Sequence, residues 1–140
     1  MNLHDALERI QRSLSQMNQS YGRTVFDEVA VVGLEGNQLD LRHYQGPREA
    51  AFMREFADDS KALRKELKAE DHSEPGCFSF TREGDGVGFD AYICLGRDLF
   101  LFCNHTGMSM KEISEDPSWL DTQGTFLNLS QVFAVNPVET

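Results

Sequence analysis

Cysteine is scarce in this chain, with three residues, an odd number, and no CxxC pair. That leaves no disulfide framework and no zinc-finger spacing, so free thiols acting as small apolar side chains are expected. Basic residues are also few. Thirteen Lys and Arg stand against 23 Asp and Glu, for a net charge of −10. Such a chain repels phosphate backbones and anionic lipid surfaces, which argues against nucleic acid and membrane as partners. No apolar run approaches the roughly 18–20 residues of a membrane span. The opening MNLHDALERIQRSL lacks the basic start and long apolar core of a signal peptide, so a cytoplasmic protein is expected. The Asn-x-Ser/Thr triplets at Asn18, Asn104 and Asn128 then carry no glycosylation meaning.

Catalytic signatures are missing too. The sequence has no GxSxG elbow and no DxDxDG calcium loop. The glycines of Gly84–Gly88 resemble a nucleotide loop only superficially. Phe89 stands where a dinucleotide fingerprint needs glycine, and a strand follows where a helix should. Cys103 and His105 offer two metal ligands at a strand end, but His43, His72 and Cys77 are scattered. Asp90, between Phe89 and Ala91, is the one carboxylate placed where burial can raise its pKa; a solvent-facing position at the strand end is its ordinary alternative. No catalytic, cofactor-binding or metal residue is therefore assigned, no cofactor is implied, and the chain is read as a non-enzyme.

What the sequence does contain is a dense apolar stretch, Val87–Asn104, broken by Gly96-Arg97. A two-residue turn there makes a β-hairpin with Leu95 opposite Asp98, Ile93 opposite Phe100 and Ala91 opposite Phe102. Phe89, Ala91, Ile93, Leu95, Phe100 and Phe102 then share one face, and Tyr92, Cys94, Leu99, Leu101 and Cys103 the other. Both faces are apolar, so both need cover. Leu3, Leu7, Ile10, Leu14, Met17 and Tyr21 form a helical stripe ending at Gly22. Val25–Leu34 and Gln38–Tyr44 read as a hairpin turning at Gly36-Asn37. Its second strand alternates Leu39, Leu41 and His43 against Asp40, Arg42 and Tyr44, as near a sheet edge.

A long helix follows from Pro47 to about Ala69, with Phe52, Met53, Phe56, Ala57, Leu63 and Leu67 on its apolar face. Its last turns carry Lys61, Arg64, Lys65 and Lys68, which suit the negative end of the helix dipole. Glu70–Gly76 is a polar loop and Cys77–Arg82 a short strand. Beyond the central hairpin, Asp116-Pro117 reads as a helix start. Trp119, Leu120, Phe126, Leu129 and Phe133 can share a face, although Gly124 suggests two short helices and Thr125–Val135 also suits a strand.

The expected fold is thus α+β: one domain over residues 1–140, with a five-stranded antiparallel sheet, helices on both faces and order αββαβββα. Through Leu3–Met17, Val29–Leu41, the helix from Pro47 and the hairpin Asp90–Phe102, this order resembles the roadblock/LC7 domains of the profilin-like group. The resemblance implies a non-enzymatic protein-interaction or regulatory module, homodimeric through the middle helix and the Cys77–Arg82 strand. Phe52, Phe56, Phe78 and Phe80 would be the apolar anchors of that surface, with core packing as their ordinary alternative. Two other readings remain: an acidic chaperone similar to those of type III secretion, and a profilin-like domain sensing a small ligand between sheet and helix.

Overall fold

A computed structural model describes residues 1–36, 38–69, 91–105 and 110–139. Its elements are α1 (Leu3–Tyr21), β1 (Glu28–Glu35), β2 (Gln38–Gln45), α2 (Glu49–Ala69), β3 (Ala91–Gly96), β4 (Leu99–Asn104), α3 (Met110–Glu115) and α4 (Trp119–Val135). The α+β class expected from the sequence is present. Among the described residues, however, the sheet has four antiparallel strands, ordered β2-β1-β4-β3, where five were expected. The fifth, Cys77–Arg82, lies outside the described residues, as does Asp90.

The two sheet faces are covered differently. Ala6, Ile10, Leu14 and Met17 of α1, Ile113 of α3, and Phe126, Leu129 and Phe133 of α4 pack with Val29, Val31, Ile93, Leu95, Leu99, Leu101 and Cys103. On the opposite face, Phe52, Phe56 and Leu67 of α2 pack with Ala30, Val32, Tyr92, Phe100 and Phe102. The terminal helices thus cover one side and the middle helix the other. Local signals set the ends of α1: Asn2 accepts the Asp5 N–H at 2.8 Å, and Gly22 closes the helix at φ 70°. Asn18 then fixes the departing chain, its Oδ1 accepting the Val25 N–H at 2.8 Å.

Two bulges overturn the expected side-chain faces. In the β3–β4 hairpin the turn falls on Arg97-Asp98, not Gly96-Arg97, with Asp98 at φ 55°. Register then shifts between Cys94 and Gly96, so Ile93 pairs with Leu101 and Ala91 with Cys103. A one-residue slip turns every side chain of a strand over. Leu99, Leu101 and Cys103 therefore join Ile93 and Leu95, while Phe100 and Phe102 join Tyr92. Cys94 and Cys103, expected on a common face, lie on opposite ones. In β2 the register shifts between the pairs Val31↔His43 and Val32↔Leu41, leaving Arg42 as the extra residue. Beyond it Tyr44, rather than His43, points to the α2 side.

Gly96 has a specific reason to be glycine. A Cβ there would lie 2.5 Å from the Val138 carbonyl oxygen, because the chain after α4 returns along β3. The Val138 N–H donates to the Leu95 carbonyl at 2.8 Å, and the Val138 side chain is buried in the core. The same tail meets the start of the chain: the Met1 ammonium donates to Pro137 O at 3.1 Å, and the Glu139 N–H donates to Met1 O at 3.0 Å.

Residues 119–135 form one continuous helix, not two short helices or a strand. Gly124 sits within it, with open space where a Cβ would stand. The helix begins two residues later than the Asp116 cap and Pro117 start read from the sequence: Ser118 is the N-cap and Trp119 the first residue, while Asp116 shapes the turn before it, its Oδ1 accepting the Ser118 N–H at 2.9 Å and its carbonyl the Trp119 N–H at 3.0 Å. The expected apolar face needs one correction. Leu120 is 77 % exposed, because the helix turns it away from the line of Thr122, Phe126, Leu129 and Phe133. In α2, Met53 and Ala57 likewise face outward rather than joining Phe52 and Phe56.

Candidate functional site

Glu28 is the one charged residue among the fully buried side chains of the described core, at 1 % exposure. It opens β1 and shares the α2 side of the sheet with Ala30 and Val32, by strand alternation. A carboxylate in such a place must be matched by donors. Three converge on it. Arg48 Nη2 donates to Oε1 at 3.1 Å, Asn104 Nδ2 donates to Oε1 at 2.9 Å, and the Tyr44 hydroxyl donates to Oε2 at 2.7 Å. Each donor comes from a different place: Tyr44 from β2 beyond its bulge, Asn104 from the end of β4 opposite Glu28, and Arg48 from just before α2. Arg48 also reaches Glu55 on the next turns of α2, at 3.3 Å.

The cluster ties the start of α2 to one end of the sheet. The Tyr44 hydroxyl, besides donating to Glu28, accepts the Arg48 backbone N–H at 3.3 Å, and the Tyr44 ring packs on Phe52 with centroids 4.7 Å apart. Burial, reinforced by the Glu28 carboxylate, pushes the Tyr44 phenol up to about 12. The Arg48 guanidinium is held above its ordinary value, chiefly by its hydrogen bond to Glu28. Each carboxylate oxygen of Glu28 is thus occupied by protein donors, which suits a carboxylate that organises structure.

The residues singled out from the sequence fall elsewhere. Phe52 and Phe56 are core side chains, stacked 6.0 Å apart under the sheet, so they offer no anchors to a partner. Burial, not display, is what their regular helical spacing encodes. Phe78 and Phe80 lie outside the described residues, with His72 and Cys77. Cys103 is buried in the core on the α1 side, and His105 sits half-buried with its ring edge-on to Phe26 at 6.3 Å. Cys94 packs on the α2 side, where burial raises its thiol pKa. His4, Asp5 and Glu8 bring ligand atoms within 4.8 Å of one another on the exposed side of α1. His4 and Glu8 already pair at 3.3 Å across one turn, and the three form no enclosed site.

Glu28 escapes a sequence reading that starts the apolar run of β1 at Val29. The signal was present: a carboxylate between Phe26 and the run Val29–Val32. The outward side of α4 escapes it as well. Around that helix Thr122, Phe126, Leu129, Ser130 and Phe133 are buried, and the outward side carries Leu120, Asp121, Gly124, Leu127, Asn128, Gln131 and Val135. Leu127 is 43 % and Val135 87 % exposed. From Thr122 to Val138 the chain carries no charged side chain.

Among the described residues, no helix is long and apolar enough to cross a membrane. Compared with known proteins, the chain matches no family model, no curated protein and no solved structure.

Proposed function

We propose that this domain is a non-enzymatic protein-interaction module that works as a homodimer. The observation that carries the reading is the outward side of α4, where Leu120 meets solvent beside Asp121, and Leu127 and Val135 meet it on the charge-free stretch Thr122–Val138 of a chain whose net charge is −10. Depletion of charge with retention of apolar side chains distinguishes interface cores from ordinary surface. The saturated Glu28 cluster supports the same reading, since its donors and acceptors are spent on holding α2 to the sheet. The described order α-β-β-α-β-β accords with a roadblock-like, profilin-like platform as far as it runs. The interaction surface moves, however, from the middle helix to α4, because Phe52 and Phe56 are interior.

Mass in solution tests this directly. Light scattering or sedimentation over about 1 μM to about 1 mM should give twice the chain mass at the upper end, a range that covers weak self-association. A single-chain mass throughout overturns the reading.

A further inference from the structure

Among the described residues β2 ends the sheet on one side, with β1 its neighbour. An outer strand offers a row of backbone donors and acceptors to another extended chain. At eight residues, with Leu39, Leu41 and Tyr44 packed on the α2-side core, β2 is long enough to serve as a template. We infer that Arg42 is a stop built into this strand, closing the sheet edge to addition of a further strand, of which the β2 of a second copy is the one always at hand. Three observations lead there.

The first is the backbone. Arg42 is the extra residue where the β1–β2 register shifts, between Val31↔His43 and Val32↔Leu41. A bulge bends its strand and increases its twist, so a straight strand laid along Gln38–Gln45 loses register with β2 at its middle.

The second is charge. The Arg42 guanidinium is held by two carboxylates: Nη2 donates to Glu35 Oε1 at 2.9 Å, and Nε lies 2.7 Å from Asp40 Oδ2. All three groups keep contact with water, the side chains of Arg42, Asp40 and Glu35 being 27 %, 58 % and 73 % exposed. A strand added beside β2 would strip that water from one guanidinium and two carboxylates at once, which its backbone hydrogen bonds would first have to offset. A second copy paired antiparallel about Arg42 would also set the same net negative group against itself.

The third is the seat. Gly33 of β1 pairs with Asp40, and a Cβ on Gly33 would lie 2.8 Å from Arg42 Nη2. Glycine inside a strand weakens the strand itself. Here it leaves the space in which the guanidinium lies. Gly33, Glu35 and Asp40 thus converge on one charged group that belongs to neither apolar core.

Arg42→Val tests the inference on the full chain, with Arg54→Val, the same exchange at an exposed position of α2, as its control. Valine suits a strand and keeps the length of the bulge. By light scattering, Arg42→Val should form species heavier than the wild type at a concentration at least about tenfold below that at which the wild type or Arg54→Val does so. Amide hydrogen exchange within residues 38–45 should slow as those species form. Arg42→Lys, which retains a cation, should behave as the wild type. Far-ultraviolet circular dichroism and the urea midpoint establish that each variant is folded, and Arg42→Thr is read in the same way if the valine variant is not. A folded Arg42→Val or Arg42→Thr with wild-type mass at every concentration overturns the inference. So does association that leaves exchange within residues 38–45 unchanged, or that Arg54→Val shows equally. The wild type's own mass, single or double, decides the homodimer reading and not this one.

Discussion

Replacing Tyr44 by Phe removes one atom from the Glu28 cluster and tests its energetics with little change of shape. The lost contact is an O–H···O⁻ hydrogen bond of 2.7 Å, in the short charge-assisted range. Such bonds contribute about 1.5–3 kcal/mol when buried. Glu28 is enclosed, but the Arg48 side chain beside it remains 39 % exposed, so solvent softens the loss. Arg48 and Asn104 still hold the carboxylate, and the ring still packs on Phe52. A destabilisation of about 1–2 kcal/mol at neutral pH follows, read as a lower urea midpoint at unchanged slope, with Tm down by about 3–6 °C.

The same variant carries a pH test. The folded-state pKa of Tyr44 lies above its ordinary value of 10.0, at about 12. Its contribution is therefore fully present below pH 10 and is lost as the pH rises from 10 to 12, because the unfolded chain ionises first and gains that stabilisation alone. Two units correspond to roughly 2.7 kcal/mol, which partial solvent access reduces to about 1 kcal/mol. The stability gap between wild type and Tyr44→Phe should narrow across that window. Comparison of the two proteins also cancels the contributions of Tyr21 and Tyr92, the other two tyrosines. A gap below about 0.3 kcal/mol at pH 7, or one that persists undiminished to pH 12, would refute the view that this hydrogen bond anchors the cluster.

Three further outcomes are expected. Gly96→Ala places a methyl group against the Val138 backbone carbonyl, which cannot rotate aside. It should cost about 2 kcal/mol and strip the Val138 amide of its hydrogen-exchange protection, whereas retained protection would contradict the close approach. Asp98→Gly relieves a non-glycine residue at φ 55° and should raise the unfolding free energy, read from urea titration, by about 0.5–1 kcal/mol. Thr122→Val deletes the 2.8 Å contact between the buried Thr122 hydroxyl and the Tyr21 hydroxyl, at a cost of about 1 kcal/mol. Burial raises the Tyr21 pKa while the Thr122 hydrogen bond opposes that rise. The variant should therefore titrate at still higher pH by ultraviolet absorbance, and a downward move would show the contact to be absent.

Much of the architecture is legible in the residues. The stripe of α1 with its Asn2 and Gly22 caps, the interior character of Val29–Val32 and the edge alternation of Leu39 and Leu41 all follow from local chemistry. So does the need to cover both faces of the β3–β4 hairpin, because an apolar side chain on either face loses by contact with water wherever it sits. Local pattern says that a residue belongs inside. It does not say which side of the sheet receives it.

That second decision belongs to the tertiary structure, and in three places it ran against the simplest reading. Bulges at Leu95 and Arg42 depend on how each strand meets β4 or β1, and each turned the side chains beyond it over. Without the second, Tyr44 would face away from Glu28. The Glu28 cluster itself draws donors from residues 16 to 76 positions distant, which no sequence window joins. On α4 the packing against β3 and α1 selected the Phe126–Leu129–Phe133 line as the inner face. The remaining apolar residues, Leu120, Leu127 and Val135, were left outside. The sequence thus determined that α4 is largely apolar, with Asp121 its one charged residue, and the fold decided which half of that apolar surface was left over.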